Sequence, residues 1–272
     1  MPTFARGSAT ISYSDTGTPP GRADAPTVFF GHGLLFSGWM FHSQIAALRD
    51  QYRCVTVDWR GQGESPATKD GYDMDTLTDD AVALIESLGV APVHYVGLSM
   101  GGFIGQRIAA RRPDLVRTLT LLDTSAGPEG AESARQYKLL GAVYRLTGIG
   151  ALRKSVLPIM FGPSFRTASA SKPLIDDWER QLRRSRRSGI SKAVFAVANR
   201  KPVESEIGGI AAPTLVVVGA DDAATTPDKS QRIAELIPDA RLVTIADCGH
   251  TSTLEQPEKV TELVRDFLAT TS

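Results

Sequence analysis

The segment Gly97-Leu98-Ser99-Met100-Gly101 places a serine between two glycines, each two positions away. It follows a short apolar run at residues 93–96 and precedes a helical pattern at residues 102–111. A sharp strand-to-helix turn lifts a hydroxyl clear of a sheet edge, and side chains at the flanking positions would collide with that turn. The G-x-S-x-G pattern in this context predicts that Ser99 is a nucleophile.

A serine hydroxyl is a poor nucleophile unless a base takes its proton. The chain holds four histidines. His250 follows the last apolar run, where a loop at the carboxyl edge of a sheet is expected on the side of Ser99, and we predict that it is the base. His94 lies within an apolar run and is expected in the core. His42 is expected to be structural or to face a cap, and His32 to hold its loop in shape.

An imidazole base needs a carboxylate that orients it. Three aspartates are candidates, because each follows an apolar run: Asp221 and Asp222 after residues 214–219, and Asp123 after residues 119–122. The residues alone do not separate them. With any of the three, the chain order is serine, aspartate, histidine, which differs from the order in chymotrypsin-like and subtilisin-like proteins.

The reaction of such a serine with an acyl carbon also needs donors for the developing oxyanion. We expect the backbone N–H of Met100, at the start of a helix, to be one donor. The N–H of Leu34, directly after His32-Gly33, is expected to be the second.

The elements that must position these residues alternate between apolar runs and helical patterns. Runs that are apolar throughout are typical of strands buried on both faces in parallel sheets. Residues 4–15 alternate weakly, which predicts an antiparallel hairpin at the sheet edge. The fold class predicted is therefore α/β, with a mostly parallel central sheet flanked by helices. The predicted strands lie at residues 27–30, 53–58, 93–97, 119–123, 214–219 and 242–245.

One long interval, residues 124–213, interrupts that alternation and contains several helical patterns. An insertion of this length after one strand predicts a helical cap over the carboxyl edge of the sheet, where open α/β sheets bind ligands. We predict a core domain of residues 1–125 and 205–272, and a cap of residues 126–204.

The cap and the first loop should select the substrate, and their apolar side chains predict a pocket for an apolar acyl or alcohol group. The residues expected to line it are Phe36, Trp39, Leu139, Val143, Met160, Phe161 and Trp178. The arginine-rich run at residues 180–187 is expected to be a solvated helix face. The alternative is that it attracts an anionic substrate.

The whole-chain composition favours a small-molecule partner. Thirty basic residues balance thirty acidic ones, so no net field draws the protein to nucleic acid or to an anionic membrane. Two distant cysteines, Cys54 and Cys248, form neither a disulfide framework nor a metal-ligand spacing, and Cys54 is expected to be a buried free thiol. With no signal peptide and no membrane span in the sequence, a cytoplasmic location is expected.

Taken together, these motifs resemble the α/β-hydrolase superfamily over nearly the whole chain. The matching segments are His32-Gly33, Asp58-Trp59-Arg60-Gly61-Gln62-Gly63-Glu64-Ser65, Gly97 to Gly101, Gly219-Ala220-Asp221-Asp222 and Cys248-Gly249-His250. Within the family the chain is similar to small capped serine esterases and enol-lactonases. The resemblance places the acid three residues after the glycine, at Asp222, and implies that neither a metal nor an organic cofactor is needed.

The resemblance also carries departures. Dehalogenases and epoxide hydrolases of this fold use an aspartate where this chain has Ser99, which disfavours both chemistries. Cofactor-free perhydrolases usually have an aromatic residue where Leu34 stands.

The predicted activity is hydrolysis of carboxylic esters with small, largely apolar groups through an acyl-enzyme. The alternatives are an enol-lactonase, a carbon–carbon bond hydrolase and, more remotely, a perhydrolase or a ligand receptor that retains the triad. A monomer or a small homo-oligomer is expected.

Overall fold

The computed structural model describes residues 1–270, and an eight-stranded sheet lies at its centre. The strand order across the sheet is β1-β2-β4-β3-β5-β6-β7-β8. The strands are β1 (Thr3–Arg6), β2 (Ala9–Asp15), β3 (Thr27–Gly31), β4 (Arg53–Val57), β5 (Val93–Leu98), β6 (Val116–Leu122), β7 (Thr214–Gly219) and β8 (Ala240–Ile245).

Strands β3 to β8 run parallel to one another. β2 pairs with β4 in the antiparallel sense and forms a hairpin with β1 at one edge. The predicted α/β class, the mostly parallel sheet and the edge hairpin are therefore confirmed.

The strands β3, β5 and β7 are mainly apolar, because both faces of the sheet are covered at these strands. Every residue of β3, β5 and β7 is buried. Since successive side chains of a strand point to opposite faces, Phe29 belongs to one apolar cluster while Val28 and Phe30 belong to the other.

Helices from the core pack on both faces. The cluster on one face contains side chains of α2, α3 and α10, and the cluster on the other contains side chains of α1 and α12. These core helices are α1 (His42–Leu48), α2 (Met74–Leu88), α3 (Met100–Arg111), α10 (Pro227–Leu236), α11 (Ser252–Glu255) and α12 (Pro257–Thr270).

The long interval between β6 and β7 is helical, and we use the name cap for residues 126–204 and the name core for the rest of the chain. The helices of this interval are α4 (Ala131–Thr147), α5 (Ile149–Met160), α6 (Pro163–Thr167), α7 (Lys172–Arg184), α8 (Arg187–Ala198) and α9 (Glu204–Ile207).

Cys54 and Cys248 are both buried and free, as expected for Cys54. Within residues 1–270, no helix has the length and apolarity that crossing a bilayer requires.

Candidate active site

Ser99 lies at the sharp turn between β5 and α3, with φ 50° and ψ −110°. This backbone conformation is costly for a residue with a side chain. The flanking glycines are required by close packing: a Cβ on Gly97 would lie 2.5 Å from the Gly101 oxygen, and one on Gly101 would lie 1.9 Å from the Gly31 oxygen. The turn therefore holds the Ser99 hydroxyl at the carboxyl edge of the sheet.

The structure brings Ser99, His250 and Asp222 together from three distant parts of the chain. The Ser99 Oγ lies 2.9 Å from His250 Nε2. On the other side of the ring, His250 Nδ1 lies 2.9 Å and 3.0 Å from the two oxygens of Asp222. All three residues are buried.

Asp222 is held by its own loop. One of its oxygens accepts the backbone N–H groups of Ala224 and Thr225 at 2.8 Å and 2.9 Å, and the other accepts the Thr225 hydroxyl at 2.8 Å. Asp221 is exposed, and its N–H donates to the Cys248 carbonyl. Of the two adjacent aspartates, only Asp222 contacts the imidazole.

Asp123, the third candidate, is fully buried after β6, and it does not hydrogen-bond the imidazole. Its oxygens accept the N–H groups of Gly219 at 3.0 Å and Ser252 at 3.1 Å. Burial and the nearby Asp222 carboxylate raise the pKa of Asp123. Its contacts tie β6 to the loops that carry Asp222 and His250.

Opposing influences act on the pKa of His250. Burial disfavours the imidazolium, but the Asp222 carboxylate, with further negative charge at Asp123 and Glu255, favours it. The net result is a pKa above the usual value of 6.5.

Of the two residues whose N–H groups are expected to stabilise an oxyanion, Met100 directly follows Ser99 and Leu34 lines the same cavity as Ser99. Among the hydrogen bonds of residues 1–270, none uses the N–H of Leu34 or of Met100. The next residue, Leu35, is fixed from both sides: its N–H donates to Gln62 Oε1 at 2.9 Å, and its carbonyl accepts the Trp178 indole N–H at 3.1 Å.

The other histidines have structural surroundings. His32 is buried: its Nε2 accepts the Trp59 N–H at 3.0 Å, and its Nδ1 lies 2.7 Å from the Gly33 carbonyl. His94 is buried within β5 against Thr118, and His42 is exposed at the start of α1.

A cavity of about 80 Å³, measured for a water-sized molecule, opens beside Ser99 and His250. Its walls are mainly apolar side chains of α4, α5 and α8. The residues that line it are Leu34, Leu35, Ser99, Phe103, Glu129, Tyr137, Leu140, Gly141, Tyr144, Ile149, Leu152, Val156, Ile159, Met160, Val194, Val197, Ala224, Thr225 and His250.

The prediction of pocket residues needs correction, because only Met160 of the seven lines this cavity. Leu139 is 66% exposed on the outer face of α4. Val143 is half-buried and packs instead against the apolar cluster that includes Tyr144 and Leu152. Helical periodicity identifies the apolar face of α4 only approximately. Two nearby residues of α4, Leu140 and Tyr137, line the cavity instead.

The other four predicted pocket residues form an aromatic cluster between cap and core. Phe36 contacts Trp39, Phe161 and Trp178, with ring centroids 5.9 to 6.3 Å apart. Phe161 and Trp178 meet edge to face at 5.6 Å. These rings fill the junction between cap and core, and do not line the cavity.

The arginine-rich run at residues 180–187 lies away from the cavity. Arg180, Arg183 and Arg184 are 57 to 75% exposed, and the first two pair with acidic residues of their own helix. The expectation of a solvated helix face therefore describes their environment.

Several site residues carry no sequence motif and were missed. Thr225 supports Asp222, while Glu129 and Tyr137 line the cavity. Glu255 accepts the N–H groups of Gly162, Gly249 and Thr251 at 2.9 to 3.0 Å, and so joins the His250 loop to the cap. An acidic or hydroxyl side chain does not by itself indicate a site residue in the sequence, because these partners come together only in the folded chain.

Across residues 1–270, no group of three or more histidine, cysteine, aspartate or glutamate side chains is arranged to hold a metal ion.

Comparison with known proteins identifies the family. A family model described as the alpha/beta hydrolase fold matches residues 26–257, and the chain belongs to this family. It is therefore a hydrolase by family membership. The structure is similar to an enol-lactonase from Burkholderia xenovorans LB400, with a TM-score of 0.90, 28% identity and coverage of 98% of this chain and 100% of the other.

A thermophilic esterase from Thermogutta terrifontis is similar with a TM-score of 0.87, 29% identity and coverage of 99% and 97% of the two chains. In sequence, the chain is 32% identical to a candidate non-heme bromoperoxidase, BpoC, of Mycobacterium tuberculosis, over 95% of this chain and 97% of the relative.

Proposed function

We propose that the chain hydrolyses carboxylic esters of small, largely apolar substrates by two-step acyl transfer. The observation that supports this most directly is the 2.9 Å contact between Ser99 Oγ and His250 Nε2. Asp222 accepts a hydrogen bond from Nδ1, which leaves the lone pair of Nε2 facing the serine.

In the first step, Ser99 Oγ attacks the acyl carbon while His250 Nε2 takes the hydroxyl proton. The N–H groups of Leu34 and Met100 stabilise the oxyanion of the tetrahedral intermediate. His250 then gives its proton to the departing alkoxide, and the acyl group stays bound to Ser99.

In the second step, a water molecule loses a proton to His250 and attacks the acyl-enzyme carbon. Collapse of the second tetrahedral intermediate releases the carboxylic acid, and the proton returns from His250 to Ser99. No other co-reactant is needed for the balance of atoms.

A lactone is the second candidate substrate, supported by the similarity to the Burkholderia enol-lactonase. In a lactone the departing alkoxide stays tethered to the acyl group, so the same residues perform the same steps.

The test is turnover of p-nitrophenyl esters and lactones by the wild type and by Ser99→Ala. The substitution should lower kcat by about three orders of magnitude or more, because it removes the nucleophile. Ser164→Ala, at an exposed serine of α6, is the matched control and should match the wild type.

A fluorophosphonate probe should label the wild type and Ser164→Ala but not Ser99→Ala. Turnover limited to about one product per chain would contradict the proposal and point to a ligand receptor. Turnover that survives in purified Ser99→Ala would contradict the assignment of the nucleophile.

A further inference from the structure

The cavity beside Ser99 is mainly apolar, but its lining includes one acidic side chain. Glu129, between β6 and α4, lines it with a side chain that is only 4% exposed. A carboxylate is costly to bury, and this one lies in a cavity that otherwise suits an apolar group.

One oxygen of Glu129 is paired with a buried arginine. It accepts a hydrogen bond from Arg200 Nη1 at 2.7 Å. Arg200 is itself buried and donates to the Ser125 hydroxyl at 3.0 Å, with its guanidinium 4.4 Å above the ring of Phe103. Arg200 therefore fixes the carboxylate and does not itself line the cavity.

The second oxygen of Glu129 has no hydrogen-bond partner within residues 1–270, and Lys229 Nζ lies 3.9 Å from it. Tyr137 also lines the cavity, and its hydroxyl likewise forms no hydrogen bond within residues 1–270. Burial, together with the negative charge of Glu129, raises the pKa of Tyr137 to about 12, so the hydroxyl keeps its proton and can donate.

We propose that Glu129 and Tyr137 form a polar subsite that selects substrates carrying a neutral hydroxyl and rejects substrates carrying a second carboxylate. A hydroxyl both donates and accepts, and can satisfy the free Glu129 oxygen and the Tyr137 hydroxyl together. A carboxylate offers no proton to Glu129 and adds a like charge inside a mainly apolar cavity. This inference rests on the proposed ester hydrolysis.

The experiment compares kcat/KM for four six-carbon p-nitrophenyl esters: hexanoate, 3-hydroxyhexanoate, 6-hydroxyhexanoate and the monoester of adipate. The wild type should prefer at least one hydroxyl ester over hexanoate, and should favour 6-hydroxyhexanoate over adipate, each by about tenfold or more. Equal rates for all four would overturn the inference.

Two substitutions separate the contributions. Tyr137→Phe keeps the ion pair, so it should reduce the preference for the hydroxyl while adipate stays disfavoured. Glu129→Gln replaces a charged acceptor with a neutral amide and leaves the Arg200 and Lys229 charges uncompensated. It should therefore reduce the hydroxyl preference and raise the adipate-to-hexanoate ratio about tenfold.

Tyr144→Phe is the matched control. Tyr144 also lines the cavity, but its hydroxyl donates to the Leu182 carbonyl at 3.4 Å, so its removal should leave the substrate ratios unchanged. If Glu129→Gln does not fold, a comparison of the substrate ratios of Tyr137→Phe and Tyr144→Phe still tests whether the subsite causes the hydroxyl preference.

Unchanged ratios in Tyr137→Phe and Glu129→Gln, with hexanoate still turned over, would overturn the subsite alone. Failure of the wild type to turn over any ester would overturn the proposed function, and the subsite with it.

Discussion

His250 illustrates how a single position takes its properties from charges supplied by other loops. The imidazole is buried, which alone would lower its pKa, yet the adjacent Asp222 carboxylate, with smaller contributions from Asp123 and Glu255, raises the pKa. These carboxylates favour the imidazolium that forms when Ser99 gives up its proton. The carboxylate arrangement therefore stabilises the charge that the proposed reaction generates.

The pH dependence of kcat/KM follows from this pKa. The base must be neutral, and its pKa is raised above 6.5, so activity should fall on acidification with a midpoint above pH 6.5. Stopped or continuous assays with p-nitrophenyl butyrate across pH 5 to 9 would measure it. A rate that is flat between mildly acidic and neutral pH would contradict the assignment of His250 as the base.

Asp222 and Asp221 form a natural pair of test positions. Asp222→Asn should lower kcat by about 10⁴-fold, because the amide cannot hold the imidazole in the productive tautomer. It should also move the acidic midpoint downward, because the carboxylate that raises the pKa of His250 is lost. Asp221→Asn is the matched control, since Asp221 is exposed.

Equal losses in both variants would show that the orienting carboxylate is misassigned. A full effect in Asp123→Asn, with Asp222→Asn near the wild type, would assign that role to Asp123.

At the scale of elements, the sequence predicts most of the architecture. Strands buried on both faces have continuous apolar sequences, and the sharp turn at Ser99 requires glycine at fixed positions. The local sequence pattern therefore predicts β5, the position of Ser99 and α3. The pocket residues do not follow, because Phe36, Phe161 and Trp178 are apolar for another reason, which is contact between cap and core. Glu129 and Tyr137 have no local signal at all.

One close backbone contact between cap and core is at Gly189 of α8. A Cβ at this position would lie 2.8 Å from the Gly61 Cα and 2.8 Å from its carbonyl oxygen, in the turn after β4. Because both obstacles are backbone atoms, the cap must shift to admit a methyl group.

Gly189→Ala should therefore reduce the free energy of unfolding by about 1 to 3 kcal/mol, and should alter KM because the cap is displaced. Thermal unfolding and ester kinetics measure both effects. Gly208→Ala is the control, because its Cβ would meet nothing closer than 3.7 Å and its φ is −62°. Identical behaviour of the two variants would contradict the close contact.

At the scale of the whole molecule, cap and core share one apolar cluster. Val96 and Leu122 of the sheet belong to the same cluster as Leu152 and Trp178 of the cap. Trp178 is fully buried, and its indole N–H donates to the Leu35 carbonyl beside the expected oxyanion donor Leu34. Loss of packing in the cap is therefore expected to reach the core.

Trp178→Ala should reduce the free energy of unfolding by about 3 to 5 kcal/mol, because it leaves a large cavity where cap meets core. In a Trp39→Phe background, far-UV circular dichroism reports all helices, and the remaining fluorescence of Trp178→Ala comes from Trp59 in the core. Both signals should shift to lower denaturant concentration together, since the shared cluster links the two parts.

Leu139→Ala, at an exposed cap position, is the control, and its free energy of unfolding should stay within about 0.5 kcal/mol of the wild type. A helical signal lost well before the Trp59 signal would instead show that the cap unfolds by itself, and the coupling through Trp178 would be wrong.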